Sequence, residues 1–121
     1  MAARSFVSVV DDDLSVRESL PDLLHEFGFA VRAFSSAEAF LASDCMLQTE
    51  CLVLDVVMPG MSGPDLQREL TRRHQKIPIV FITAHDSICR RVLQQGAGAC
   101  LVKPFSDKAL LDALNAALRA G

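Results

Sequence analysis

The chain has 121 residues and a mass of 13.2 kDa; half of it is hydrophobic and 22% is charged, with 12 basic and 15 acidic residues giving a net charge of −3. That size and balance suit a single domain, residues 1–121, with one packed core, and exclude a disordered chain. The acidic balance, with no basic run longer than Arg72-Arg73-His74, gives no electrostatic footprint for nucleic acid. No apolar stretch approaches the roughly 20 residues of a membrane span, and the first eight residues lack the charged-then-apolar order of a secretory signal, so a cytoplasmic protein is expected.

Short apolar runs alternate with amphipathic segments along the whole chain. Residues 6–10, 30–34, 51–54, 79–82 and 100–102 are rich in Val, Ile, Leu and Phe and predict five strands. The first intervening helix carries Val16, Leu20, Leu23, Leu24 and Phe27 on one stripe and ends at Gly28, where a left-handed residue is wanted. Pro21 removes a backbone donor inside it, which predicts a kink or a restart. The second helix opens at Ser35, with Glu38 three residues on at capping-box spacing, and ends near Ala42. The third follows Gly63, with Pro64 early, and runs to Arg73. The fourth covers 87–95 and stops at Gly96; the fifth starts at Ser106 and carries Leu110, Leu111, Leu114 and Leu118 nearly to the end, so no output domain is expected in this chain.

Continuous apolar strands separated by helices imply a parallel sheet covered on both faces, because every parallel crossover needs a helix. The predicted architecture is therefore α/β, a five-stranded parallel sheet in a three-layer α/β/α sandwich. Cys45, Cys51, Cys89 and Cys100 have no CxxC spacing, and they are read as reduced, mostly buried filler. His25 and His74 are read as helix-surface residues, and Met58 and Met61 as turn packing. Arg90, Arg91, Gln94 and Gln95 are read as a solvated helix face.

The chemistry is concentrated at strand ends. Asp11, Asp12 and Asp13 follow the first strand, Asp55 the third, Thr83 the fourth and Lys103 the fifth. Open parallel sheets bind ligands outside the carboxyl ends of their strands, and in the order 2-1-3-4-5 the winding reverses between strands one and three. The acidic run and Asp55 should meet there, with Asp13 as either a helix cap or a member of the site. Converging carboxylates repel unless a cation intervenes. Oxygen donors without a calcium-loop pattern or a His/Cys cluster favour Mg²⁺. A lysine and a hydroxyl aimed at the same crevice suit the oxygens of a transferring phosphoryl group, which makes Asp55 a candidate nucleophile.

Val9-Val10-Asp11-Asp12-Asp13, the segment from Leu52 to Gly63 with its D-x-x-M-P-x-M-x-G pattern, Phe81-Ile82-Thr83-Ala84-His85 and Val102-Lys103-Pro104-Phe105 together resemble the motif blocks of response-regulator receiver (CheY-like) domains. The resemblance spans the whole chain, and segments 15–20, 36–41 and 78–83 are similar to the FixJ-type branch of transcriptional regulators. It implies Asp55 as phosphoacceptor, Asp12 as a direct and Asp11 as a water-mediated Mg²⁺ ligand, and the Val57 carbonyl as a further ligand. It also implies that Thr83 binds the phosphoryl group, that Lys103 makes an ion pair, and that the Lys103-Pro104 bond is cis. A sensor histidine kinase would donate the phosphoryl group, with dimerisation on phosphorylation as a typical consequence. The helix four, strand five and helix five face would then change toward a partner.

Two departures stand out. Cys100 occupies the position, three residues before the lysine, where the family usually has Tyr or Phe. Val57 and His85 occupy the variable pair flanking the attacking water. The competing reading is an aspartyl-phosphate-type phosphatase or phosphotransferase; such enzymes place a second acid two residues after the nucleophile, where Val57 stands.

Overall fold

In the computed structural model, which describes residues 5–120, the elements in chain order are β1 (Phe6–Val10), α1 (Leu14–Glu26), β2 (Ala30–Phe34), α2 (Ala37–Leu41), a 3₁₀ helix (Asp44–Gln48), β3 (Cys51–Asp55), α3 (Gly63–Arg72), β4 (Ile79–Thr83), α4 (Asp86–Gln94), β5 (Ala99–Val102) and α5 (Asp107–Ala120). The strands form one sheet in the order β2-β1-β3-β4-β5, every neighbouring pair parallel. This is the predicted α/β sandwich.

Alternation along each strand separates two cores. Val7 and Val9 of β1, Val53 of β3 and Val80 and Ile82 of β4 pack with Leu20 and Leu24 of α1 and Leu110 and Leu114 of α5. Their neighbours Val10, Leu52, Leu54 and Phe81 point the other way, against Phe40 of α2, Leu66 and Leu70 of α3 and Val92 of α4. Because both faces are covered, the central strand β3 is buried at all five positions, which is why its sequence is apolar without a break until Asp55. Each fully buried Leu or Phe contributes roughly 2–3 kcal/mol of apolar transfer.

Several local expectations change. Ser36, not Ser35, caps α2, its hydroxyl accepting from the Ala39 N–H at 3.0 Å. Glu38 does not close a capping box; its carboxylate accepts from the Met61 N–H at 3.3 Å and ties α2 to the loop after β3. Helix α1 neither breaks nor restarts at Pro21: it is one element, because the ring forfeits a single bond while Leu20 and Leu24 hold the helix to the core on either side. Phe27 lies past the helix end and is exposed, whereas Phe29 fills the core; Gly28 takes the expected positive φ of 92°.

The 3₁₀ helix after α2 was not predicted. It is anchored by Thr49, whose hydroxyl is shared with Ser8 of β1 at 2.7 Å and reaches the Cys45 carbonyl at 2.7 Å, so the buried polar pair is satisfied. His74 follows α3 in the left-handed region, φ 61°, rather than on the helix surface. The cysteines also depart from expectation. Cys89 of α4 and Cys100 of β5 are paired as a disulfide, whereas Cys45 and Cys51 are free. Cys89 and Cys100 lie eleven residues apart, so no short motif announced the pair; the packing of α4 on β5 brings them together.

Candidate functional site

The parallel register places the strand-end residues at one edge of the sheet. Val10 pairs with Leu54, Asp55 with Ile82 and Thr83 with Val102, so Asp11, Asp55, Thr83 and Lys103 emerge side by side as each apolar run ends. Local chemistry then fixes the loops. Asp13 caps α1, its carboxylate accepting from the N–H and hydroxyl of Ser15 at 2.9 and 2.8 Å, so it serves the helix. Ser62 and Asp65 form a reciprocal capping box at the start of α3, with Pro64 in its first turn. Gly63 donates its N–H to the Val56 carbonyl at 3.0 Å, drawing α3 tightly against the end of β3.

Asp11 is fully buried. One carboxylate oxygen accepts from the Asp13 N–H at 2.9 Å, and the other meets the Lys103 Nζ at 2.7 Å across 92 residues of sequence. Asp55, 6% exposed, accepts from the Val57 N–H at 3.3 Å, and its second oxygen lies 3.8 Å from the same Nζ. The lysine is thus shared, and it sits closer to Asp11 than to Asp55. Its backbone N–H bonds the Thr83 carbonyl at 2.8 Å, and the Lys103-Pro104 peptide is cis, as expected. Arg17 of α1, which lies in the 15–20 segment but was given no role there, donates to the Asp11 carbonyl at 3.1 Å and adds a second cation to the rim. Only its position one turn into the helix after the acids hinted at this.

Asp12 is exposed and completes the acidic group: Asp11, Asp12 and Asp55 each offer a carboxylate oxygen within 4.8 Å of the others. An all-oxygen set of two buried acids and one solvent-facing acid fits a hard divalent cation that retains water, and it does not fit a soft metal. Thr83 is buried with its hydroxyl oxygen accepting from the His85 N–H at 3.3 Å, while Val57 and His85 are exposed at the mouth. A pocket of about 900 Å³ lined by Leu70, Ile77, Pro78, Ile79, Ala113 and Ala117 opens at the opposite end, where β4 and β5 begin, and shares no residue with the acids.

The electrostatics follow from this crowding. Burial, and then the neighbouring charge of Asp11, push the Asp55 carboxyl up from 3.8 to about 7, with Lys103 only partly opposing them. For Lys103, burial acts to lower the ammonium's pKa; its hydrogen bond to Asp11 and the charges of Asp55, Asp11 and Asp13 outweigh that and leave it raised. The site therefore holds more negative charge than one lysine neutralises.

The sequence matches the model of the response regulator receiver domain over residues 7–115. The chain belongs to that family. This receiver domain is 48% identical to nodulation protein W of Bradyrhizobium diazoefficiens over 96% of its own length and 52% of the relative's. It is 42% identical to the transcriptional regulatory protein FixJ of Azorhizobium caulinodans, over 93% of this chain and 54% of that one. The chain thus spans about half the length of the curated relatives it matches. Among solved structures it superposes on the response regulator StyR with a TM-score of 0.86 at 50% identity, covering 98% of this chain and 61% of that one. The chemotaxis protein CheY4 of Vibrio cholerae gives a TM-score of 0.83 at 28% identity, covering 96% of the receiver domain and all of CheY4. Among the described residues of the receiver domain, no helix is long and apolar enough to cross a membrane.

Proposed function

We propose that this receiver domain is a phosphorylation switch of a two-component system, with Asp55 as phosphoacceptor, a sensor histidine kinase as donor, and Asp11, Asp12, Asp55 and the Val57 carbonyl as the Mg²⁺ ligands. The observation that carries this reading is the placement of Asp55: a nearly buried carboxylate at the switch point of the sheet, between two further acids and 3.8 Å from a lysine ammonium. When bound, Mg²⁺ would offset the charge of the acids and of the incoming phosphoryl group.

The chain's own groups do the remainder. An Asp55 oxygen forms the bond to phosphorus as the bond to the donor nitrogen breaks, and the departing imidazole keeps the electron pair and a proton. Lys103, already within reach of both acids, pairs with the added charge, and the Thr83 hydroxyl turns from its contact with His85 to donate to a phosphoryl oxygen. Movement of Thr83 is passed to α4, which starts three residues later, and to the face it forms with β5 and α5. Control of transcription would then belong to an output segment outside this chain, with homodimerisation on phosphorylation.

Incubation with acetyl phosphate and Mg²⁺ followed by intact mass measurement should give one phosphoryl adduct on the native chain and none on Asp55→Asn. An adduct retained by that variant removes Asp55 from its role. The lifetime of the adduct should respond to Val57, whose apolar side chain stands exposed at the mouth and cannot orient a water. Val57→Asn should change the hydrolysis rate by about tenfold, a 1.4 kcal/mol effect on the barrier. An unchanged rate would show that this position does not touch the attacking water.

A further inference from the structure

The disulfide joins the two elements through which the site meets the surface. Cys89 lies in the first turns of α4, which begins three residues beyond Thr83; Cys100 lies in β5, which ends one residue before Lys103. Their Cα atoms are 5.6 Å apart, within the separation that a disulfide spans without moving the backbone. Helix α4 is held to the sheet through Cys89 and Val92, its two buried side chains, with Ile88 partly buried beside them; its N-cap His85 makes no side-chain capping bond, and Arg90, Arg91, Gln94 and Gln95 face solvent. A covalent tie between this helix and the neighbouring strand limits how far the helix can open or shift away from the sheet.

We propose that Cys89 and Cys100 are a redox modification site: hydrogen peroxide converts the two thiols to a disulfide that fastens α4 to β5 and restrains the response of this face to phosphorylation. The restraint rests on the phosphoacceptor reading of Asp55; the formation of the bond does not. Cys100 is partly exposed and Cys89 is buried, so Cys100 meets the oxidant first. Its sulfur, as thiolate, attacks one peroxide oxygen; the O–O bond breaks, one water leaves with the protons, and a sulfenic acid remains. The Cys89 sulfur then attacks the sulfenic sulfur, the S–S bond forms, and the hydroxyl leaves with the Cys89 proton as a second water. Two thiols have lost two electrons, and the peroxide has gained them. A dithiol reverses the step through a mixed disulfide.

The other two cysteines do not compete on these terms. Cys51 is fully buried in the core with its thiol pushed up to about 11 by burial, and Cys45 has no cysteine partner. A reducing compartment keeps such a pair open at rest, so that closure reports oxidant rather than folding.

The experiment uses the reduced chain, treated with hydrogen peroxide, alkylated and peptide-mapped, with amide hydrogen exchange measured over residues 86–95 before and after phosphorylation by acetyl phosphate and Mg²⁺. The expected result is a linked Cys89/Cys100 peptide that dithiothreitol separates, and exchange over 86–95 at least roughly threefold slower in the oxidised form. Phosphorylation should speed that exchange in the reduced form and leave the oxidised form nearly unchanged, although both carry the adduct. Cys89→Ala and Cys100→Ala should each abolish the peroxide effect. The proposal is overturned if both thiols are still alkylated after peroxide, if the two forms exchange alike, or if either variant keeps the peroxide effect. A reduced chain that takes no phosphoryl group overturns the phosphoacceptor reading instead, and the exchange of the unphosphorylated forms then still decides the tether.

Discussion

Replacing Gly63 by alanine should destabilise the chain by about 3 kcal/mol and displace Asp55. A Cβ at Gly63 would lie 2.5 Å from the Asp55 carbonyl oxygen and 3.1 Å from the Val56 Cα, both backbone atoms that no side-chain rotation can move aside. The start of α3 must therefore back away from the end of β3. That strains the bond from the Gly63 N–H to the Val56 carbonyl and shifts the loop bearing Val57, whose carbonyl is proposed as a metal ligand. Overpacking of this kind costs about 1–3 kcal/mol, and a lost buried hydrogen bond adds about 1. For a domain of this size the sum corresponds to a fall in Tm of roughly 10 °C. Gly98→Ala is the matched control: a Cβ there meets nothing within 4 Å, so its melting curve should overlay the native one. Equal melting temperatures for the two variants would show that the close approach at Asp55 carries no energy.

The second large effect is on the pH dependence of stability and of metal binding. The native Asp55 carboxyl is raised from 3.8 to about 7, so between those values the folded state holds a proton that the unfolded state has released. Metal-free stability is therefore greatest below about pH 4 as far as this group is concerned, and its share is lost as the pH climbs through about 7. The whole displacement corresponds to about 4 kcal/mol, and the opening of the crevice to solvent reduces this to about 2. Asp55→Asn should recover that amount at pH 8 without metal and flatten the slope between pH 4 and 7.

Under the proposed ligand set Mg²⁺ would compete with the same proton, so it should raise Tm at pH 8 and have much less effect at pH 5. At ten times its Kd the gain would be about 1.4 kcal/mol. Thermal melts across pH, with and without Mg²⁺, would check both statements. A native chain whose stability between pH 4 and 8 parallels that of Asp55→Asn would contradict the assigned cause.

The sequence alone determined the type and order of the five strands and five α-helices, and with them the sheet, but not the 3₁₀ helix at Asp44–Gln48. Period-two and buried apolar runs separate strands from helices by rules that act within a few residues, and a parallel sheet follows because helices lie between the strands. The strand-end residues were legible for the same reason. An acid after Leu54 or a lysine after Val102 interrupts a run whose burial is already implied, and such an interruption is costly without a partner. Family motifs made the site more specific, and the register brought Asp11, Asp12, Asp55, Thr83 and Lys103 to one edge.

What only the tertiary structure decided was which partner each side chain takes. Ser36 rather than Ser35 caps α2, since the choice depends on the angle at which the chain leaves β2. Glu38 turns from its own helix to the Met61 N–H, 23 residues away. Lys103 settles closer to Asp11 than to Asp55, and Ser8 finds Thr49 across 41 residues. Cys89 and Cys100 meet although neither carries a local motif. Each of these contacts joins segments that local propensity treats as independent, and its geometry is set by packing of helices on the sheet at ångström precision. Sequence periodicity records which face of an element is buried; it does not record which atom on the neighbouring element that face will meet.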